Sequence, residues 1–513
     1  MSAKVDFTRE IANAASLHAL NAISSRLSAK DSTLWGKEAE AEAAIRLGWI
    51  DLPQSSRDLL PELDRLSAWA RSRNVKEIVL CGMGGSSLAP EVIAKTYGKK
   101  LTVLDTTDPE QILAGIPADL STAIIVVGSK SGSTVETASQ KALFTSLLIE
   151  AGLNPAEHIV IVTDPGSPLD QSSRADGLTV VNANPNVGGR YSALSAFGLV
   201  PAALIGVDAS ILIDDAATLL AILAAENSVA VTIAAALFDA GEQCVAFADA
   251  GSNVPGLSDW IEQLIAESTG KSQKGRLPVV IESDTSPVAG PGLLVTFAPS
   301  AKADLVVEAS LGEHFILWEY VTALLSFLLE VDPFNQPNVT EAKDRTNALL
   351  AKWNGRVPAT SPTLSTPALD IYSSSTATTL EGQLKDFLSV DAHYFASMAY
   401  LHRGSDDAIT EIRSLVAEKS NRASTFGWGP RFLHSTGQFH KGGQLNGAFI
   451  QITGESEKDL AIPGREFSFH TLLMAQALGD GEALSSRALP LIRIHLKDRS
   501  AGIAELLNTL RTL

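Results

Sequence analysis

The chain is predicted to be an α/β protein with two doubly wound parallel-sheet domains, an N-terminal helical segment and an extra C-terminal α/β unit. Three observations carry this reading. Short apolar runs at 78–81, 101–104, 123–127 and 159–162 each end in Gly, Ser, Asp or Thr, and most lead into a helical stretch. Such runs fit strands covered on both faces, as in parallel sheets. A second series of the same style lies further on, and 513 residues are too many for one core, predicting roughly three or four units.

Taken in order, residues 1–75 read as helical: Ala and Leu dominate 11–27, and 59–70 repeats apolar residues at helical spacing. Residues 76–183 alternate strand, polar loop and helix, which defines the first doubly wound domain. Residues 184–345 form the second. It opens with an uncharged stretch, 191–207, read as buried helix and loop. An Ala/Leu-rich helical segment covers 209–237, strands are expected at 244–248, 279–281, 293–297 and 304–308, and a long helix at 315–329. Residues 346–379 are expected to link this domain to the last one, because 356–367 holds three prolines and five Ser/Thr. In the unit at 380–513, strands are expected at 393–401 and 448–452 and a helix at 407–419.

Composition excludes several classes. Hydrophobic residues make up 45% and charged residues 19%, a folding composition. The formal charge of −18 argues against a nucleic-acid footprint. Cys81 and Cys244 form neither a disulfide framework nor a metal motif, so no metal and no disulfide are expected, and a reducing cytoplasm is. No run reaches the length of a membrane span, so no membrane partner is expected.

Six segments carry chemistry. Cys81-Gly82-Met83-Gly84-Gly85-Ser86-Ser87 follows a strand and opens a helix, where glycines admit a ligand to free N–H groups. Its spacing is neither that of a dinucleotide loop nor a P-loop. The second strand-end loop, 128–137, crowds Ser129, Ser131, Ser133 and Thr134 beside Lys130 at a helix start. Helix capping uses one or two hydroxyls; four argue for a phosphate. Gly188-Gly189-Arg190 pairs exposed backbone with a cation. Glu267 ends an apolar helical stripe three residues before a C-capping Gly270, a candidate general base. Gln336 and Lys343 follow a lone His314; in isolation each of these three is more often structural or solvated than catalytic.

Together these segments resemble the glucose-6-phosphate isomerase family, whose members are built from two sugar-isomerase (SIS) domains. The likeness spans roughly 76–345 in the family's order: GMGGSSLAP, GSKSGSTVET, NVGGRYS, AESTGK, GEH and FNQPNVTEAK. The stretches AKDSTLWG, IRLGWIDLP and FGWGPRFLHSTGQFHKGG resemble the isomerase half of transaldolase/glucose-6-phosphate isomerase fusion proteins. Asn335 and the Leu311-Gly312-Glu313 run depart from the family's pattern. The resemblance implies reversible conversion of glucose 6-phosphate and fructose 6-phosphate through a cis-enediolate, with no cofactor. It assigns Glu267 as base, Arg190 as enediolate holder, and His314 and Lys343 as the ring-opening pair. Gly84, Gly85, Ser86, Ser129, Lys130, Ser131, Ser133, Thr134, Gly189 and Gln336 would hold the substrate. It further implies a homodimer, since the family's histidine comes from a neighbouring subunit, and a functional link to transaldolase. Three alternatives stay open: dual activity on mannose 6-phosphate, a noncatalytic sugar-phosphate sensor, and a nucleotide-linked dehydrogenase. The loop 426–443 is expected to pack the last unit against the others.

Overall fold

The computed structural model describes residues 3–290 and 292–513, with the side chains of Val339 and Thr340 left aside. Its sixteen strands are β1 (Lys4–Phe7), β2 (Glu77–Gly82), β3 (Thr102–Leu104), β4 (Ala123–Gly128), β5 (Ile159–Thr163), β6 (Thr179–Asn182), β7 (Cys244–Ala248), β8 (Leu277–Val280), β9 (Leu294–Thr296), β10 (Leu305–Glu308), β11 (Leu364–Ser365), β12 (Leu369–Tyr372), β13 (Tyr394–Tyr400), β14 (Ala423–Trp428), β15 (Gly447–Gly454) and β16 (Leu491–Leu496). They form three sheets.

The first sheet runs β3-β2-β4-β5-β6 and is parallel throughout. Its strand order reverses between β2 and β4, the place where open α/β sheets bind ligands beyond the strands' carboxyl ends. Every residue of β4 and β5 is buried, which explains their unbroken apolar runs. The second sheet runs β1-β10-β9-β7-β8 and is parallel except for β1. The third, β11-β12-β16-β15-β13-β14, has four parallel strands and an antiparallel edge. The α/β class and its parallel sheets are those the sequence predicts.

Several local expectations need correction. The N-terminal segment is not wholly helical: Lys4–Phe7 closes the edge of the second sheet against β10. That strand is only four residues long and half-exposed, so it lacks a run. The helix after the first glycine loop starts within that loop, at Gly85, and carries Pro90 inside it. The 407–419 stretch is a 3₁₀ turn, Asp407–Glu411, followed by an α-helix, Ile412–Ser420. Within the expected linker, Leu364–Ser365 pairs with β12. The helix Pro337–Trp353 crosses residue 345, and its Leu349 and Trp353 cluster with Met474 and Ala475 of the last unit.

The last unit is bound to the others by both apolar and ionic contacts. Phe432, Phe439 and Leu473 share one buried cluster with Ala266, Leu277 and Val279. Arg403 Nη1 lies 2.7 Å from Glu91 Oε1, Arg431 pairs with Glu91 and Asp105, and Arg499 Nη2 lies 2.6 Å from Asp108. Among the described residues, no helix is long and apolar enough to cross a membrane.

Candidate active site

The switch point of the first sheet opens into a cavity of about 440 Å³, within the roughly 300–1,000 Å³ typical of ligand pockets. Four segments converge there because glycines let them touch. Gly84 sits at φ +56°, and a Cβ on it would lie 2.7 Å from Gln263 Nε2 and 3.1 Å from His434 O. A Cβ on Gly85 would lie 1.9 Å from Gly189 O, so the first glycine loop rests directly on the arginine loop.

Arg190 is the best-held side chain of the site. Its Nε donates to Ser268 Oγ at 2.8 Å, Nη1 to Gln336 Oε1 at 3.0 Å, and Nη2 to Pro333 O at 2.6 Å and Asn335 O at 3.1 Å. Nη1 also lies 3.1 Å from Glu267 Oε1, in a pair whose side chains are 3% and 10% exposed. Glu267 comes from the C-terminal turn of Leu257–Thr269, capped by Gly270. Its other oxygen accepts from Gln263 Nε2 at 3.1 Å, one helical turn earlier. Gln336 therefore braces the arginine.

Opposite lies the hydroxyl loop after β4. Ser129 Oγ donates to Thr134 Oγ1 at 3.2 Å and accepts from Gly132 N–H, and Ser131 Oγ lies 2.8 Å from Ser133 Oγ. Ser129, Lys130, Ser131 and Thr134 line the cavity, as do Gly84, Gly85, Ser86, Gly189, Arg190, Glu267, Gln336 and Lys343. Lys130 Nζ is engaged by Asp164 at 2.5 Å; burial lowers its proton affinity and raises that of Asp164. An anion here would thus meet hydroxyls and backbone N–H groups more than a free cation. Ser86 Oγ accepts from Met83 N–H at 3.1 Å and lies 3.1 Å from Gly128 O, tying the two loops together. Ser133 lines a smaller neighbouring cavity of about 80 Å³ that also touches Lys343, Glu136 and His434.

His314 is not brought to the site. It sits with no exposed surface near the start of Leu311–Leu329, edge-on to Phe297 at 5.3 Å, with both ring nitrogens unpartnered. Burial drops its proton affinity to about 3. A side chain enclosed in its own chain is presented to no neighbouring subunit either.

Four residues at the site were missed or misread from the sequence. Gln263 could have been found by its four-residue spacing from Glu267 on one helix face. Buried Lys271 donates to Asp332 O and, at 2.7 Å, to Asn335 O, which fixes the turn that holds Arg190. Burial and the nearby Arg190 lower its proton affinity strongly. His434, expected as a packing residue, lines the main cavity, and its Nε2 lies 3.0 Å from Glu136 Oε1. Glu136 also accepts from Gln476 Nε2 at 2.7 Å. Burial pushes the Glu136 carboxyl up, but His434, a backbone N–H and Lys343 together hold it below its usual range. Among the described residues no His/Cys/Asp/Glu group has metal-binding geometry.

The fold and cavity define an α/β protein whose braced arginine–glutamate pair faces a hydroxyl-rich loop across a sheet switch point. Residues 64–288 match the phosphoglucose isomerase family model. A glucose-6-phosphate isomerase of Thermus thermophilus is 37% identical over 175 residues, covering 33% of this chain and 41% of the relative. One from Synechococcus sp. is 32% identical over 212 residues, covering 38% and 40%. The chain thus spans about half or less of the length of these curated relatives. The crystal structure of a glucose-6-phosphate isomerase from Chlamydia trachomatis shares the fold, with a TM-score of 0.54, 19% identity, and coverage of 68% of this chain and 89% of that one.

Proposed function

We propose that the chain is a glucose-6-phosphate isomerase, interconverting glucose 6-phosphate and fructose 6-phosphate. The observation that carries this is the Arg190–Glu267 pair, 3.1 Å apart, facing the Ser129–Thr134 loop across one cavity. The loop suits the phosphate, leaving C1 and C2 of the opened sugar towards Glu267. One carboxylate can take the proton from C2 and return it to C1 on the same face. Negative charge then develops on the enediolate oxygens, and Arg190, already fixed by five contacts to Ser268, Gln336, Pro333, Asn335 and Glu267, meets it without reorganising. Neither step requires a cofactor or a metal.

The further expectations stay proposals of the same reading: action in the cytoplasm in both glycolytic and gluconeogenic directions, and a functional link to transaldolase. So does the division at residues 75 and 183. A homodimer belongs to the same reading. A coupled assay of fructose 6-phosphate conversion to glucose 6-phosphate tests the function, with mannose 6-phosphate run alongside. Turnover of fructose 6-phosphate supports it. Absence of turnover with intact, folded protein would refute it, and product from mannose 6-phosphate as well would establish dual activity.

A further inference from the structure

The isomerase reading leaves one role vacant. A hexose phosphate is mostly a closed ring, and the histidine that the family resemblance assigns to opening it is enclosed beside Phe297. We propose that His434, carried by the C-terminal unit, opens the sugar ring in the cavity of the same chain, working with Lys343. This inference rests on the isomerase reading and assigns that reading's missing acid–base group.

Four observations point to His434. It lines the main cavity together with Lys343 and Glu267, and lines the smaller adjoining cavity with Lys343 again. Its ring is oriented: Nε2 lies 3.0 Å from Glu136 Oε1, and Glu136 is itself held by Gln476, whose Oε1 accepts from Thr107 Oγ1 at 2.6 Å. Nε2 faces the carboxylate, which leaves Nδ1 for a ligand, and Nδ1 has no hydrogen-bond partner among the described residues. Its backbone is coupled to the base: His434 O accepts from Gln263 Nε2 at 2.8 Å, and the same amide group reaches Glu267. Finally, Gly84 leaves room for it, since a Cβ there would lie 3.2 Å from His434 Cβ.

The step balances. The neutral imidazole takes the proton of the anomeric hydroxyl, at O1 of the aldose or O2 of the ketose. The freed electron pair forms the carbonyl as the bond from the anomeric carbon to O5 breaks. Lys343 gives a proton to O5. Closing the product ring runs the same transfers backwards, restoring both side chains.

The test separates ring opening from isomerisation. Exchange NMR follows the interconversion of the two anomers of glucose 6-phosphate, which needs ring opening only. Turnover of an aldotetrose 4-phosphate, whose O4 carries the phosphate and so cannot close a ring, reports isomerisation only. His434→Gln should slow anomer exchange and hexose phosphate turnover by roughly 10²–10⁴-fold, the usual range for acid–base catalysis, and leave tetrose phosphate turnover within about threefold. Unaltered anomer exchange in His434→Gln would overturn the proposal. An equal loss on both substrates would overturn it too, reducing His434 to a positioning residue for Glu267. Should His434→Gln melt, Glu136→Gln keeps the imidazole in place and should slow anomer exchange alone; a fully active Glu136→Gln would contradict the proposal. If the parent protein converts neither sugar phosphate, the isomerase reading itself fails.

Discussion

Replacing His314 with Phe tests where this histidine belongs. The side chain is wholly buried beside Phe297, whose ring also packs against Trp318, and neither ring nitrogen of His314 has a partner. An unsatisfied buried polar group costs about 1–3 kcal/mol, so an apolar ring of similar shape should be neutral or stabilising at pH 7.5. The pH response gives a second magnitude. Burial lowers the proton affinity from the usual 6.5 to about 3 in the folded chain. Between these values the unfolded chain binds a proton that the folded chain does not, so this contribution is fully present above 6.5 and lost as pH falls towards 3. At 1.36 kcal/mol per unit, moving from pH 7.5 to pH 5 costs about 2 kcal/mol through this group alone. Urea unfolding of the parent and His314→Phe at both pH values measures the difference. The variant should be less acid-sensitive by about that amount and should keep its turnover of fructose 6-phosphate. Identical acid sensitivity would refute the burial argument. A folded variant with about hundredfold lower turnover would return His314 to the chemistry.

Three further outcomes are expected. Ser129→Ala with Ser131→Ala removes hydroxyls facing the cavity and should weaken inhibition by a phosphorylated sugar acid by about 1–3 kcal/mol, read as an inhibition constant, with the melting temperature kept. Gly85→Ala drives a Cβ to 1.9 Å from Gly189 O, and the resulting shift of Arg190 should cost about 10²-fold in turnover. Lys441→Ala strands Asp480, its partner at 2.5 Å with both side chains 1% exposed, and should cost about 3–5 kcal/mol in urea unfolding, whereas Lys441→Met with Asp480→Leu should recover most of it.

The parallel sheets were legible because their strands are buried on both faces and so stand out as unbroken apolar runs such as Ile124 to Val127. The glycine and hydroxyl loops were legible for a related reason: sheet topology puts strand ends together, and the chemistry sits in consecutive residues there. What stayed hidden depends on contacts far apart in sequence. His434 and Glu136 are 298 residues apart, and Arg190 and Pro333 are 143 apart. Nothing local distinguishes His434 in the cavity from His440 in the core, though they lie in one short segment; burial lowers the proton affinity of His440 to about 3. The strand β1 was missed because an edge strand whose partner lies 304 residues away, as Glu308 does from Lys4, needs no strong local pattern.

In the proposed mechanism Glu267 moves a proton between C2 and C1 of the opened sugar against Arg190. Running the conversion of glucose 6-phosphate in D₂O and locating deuterium by NMR tests it most directly. Deuterium is expected at C1 of fructose 6-phosphate, because a carboxylate holding the transferred proton exchanges it with solvent. Glu267→Gln should lower the incorporation rate by roughly 10²–10⁴-fold while phosphorylated inhibitors still bind. Product formed without deuterium, as a direct hydride shift would give, or undiminished incorporation by Glu267→Gln, would contradict it.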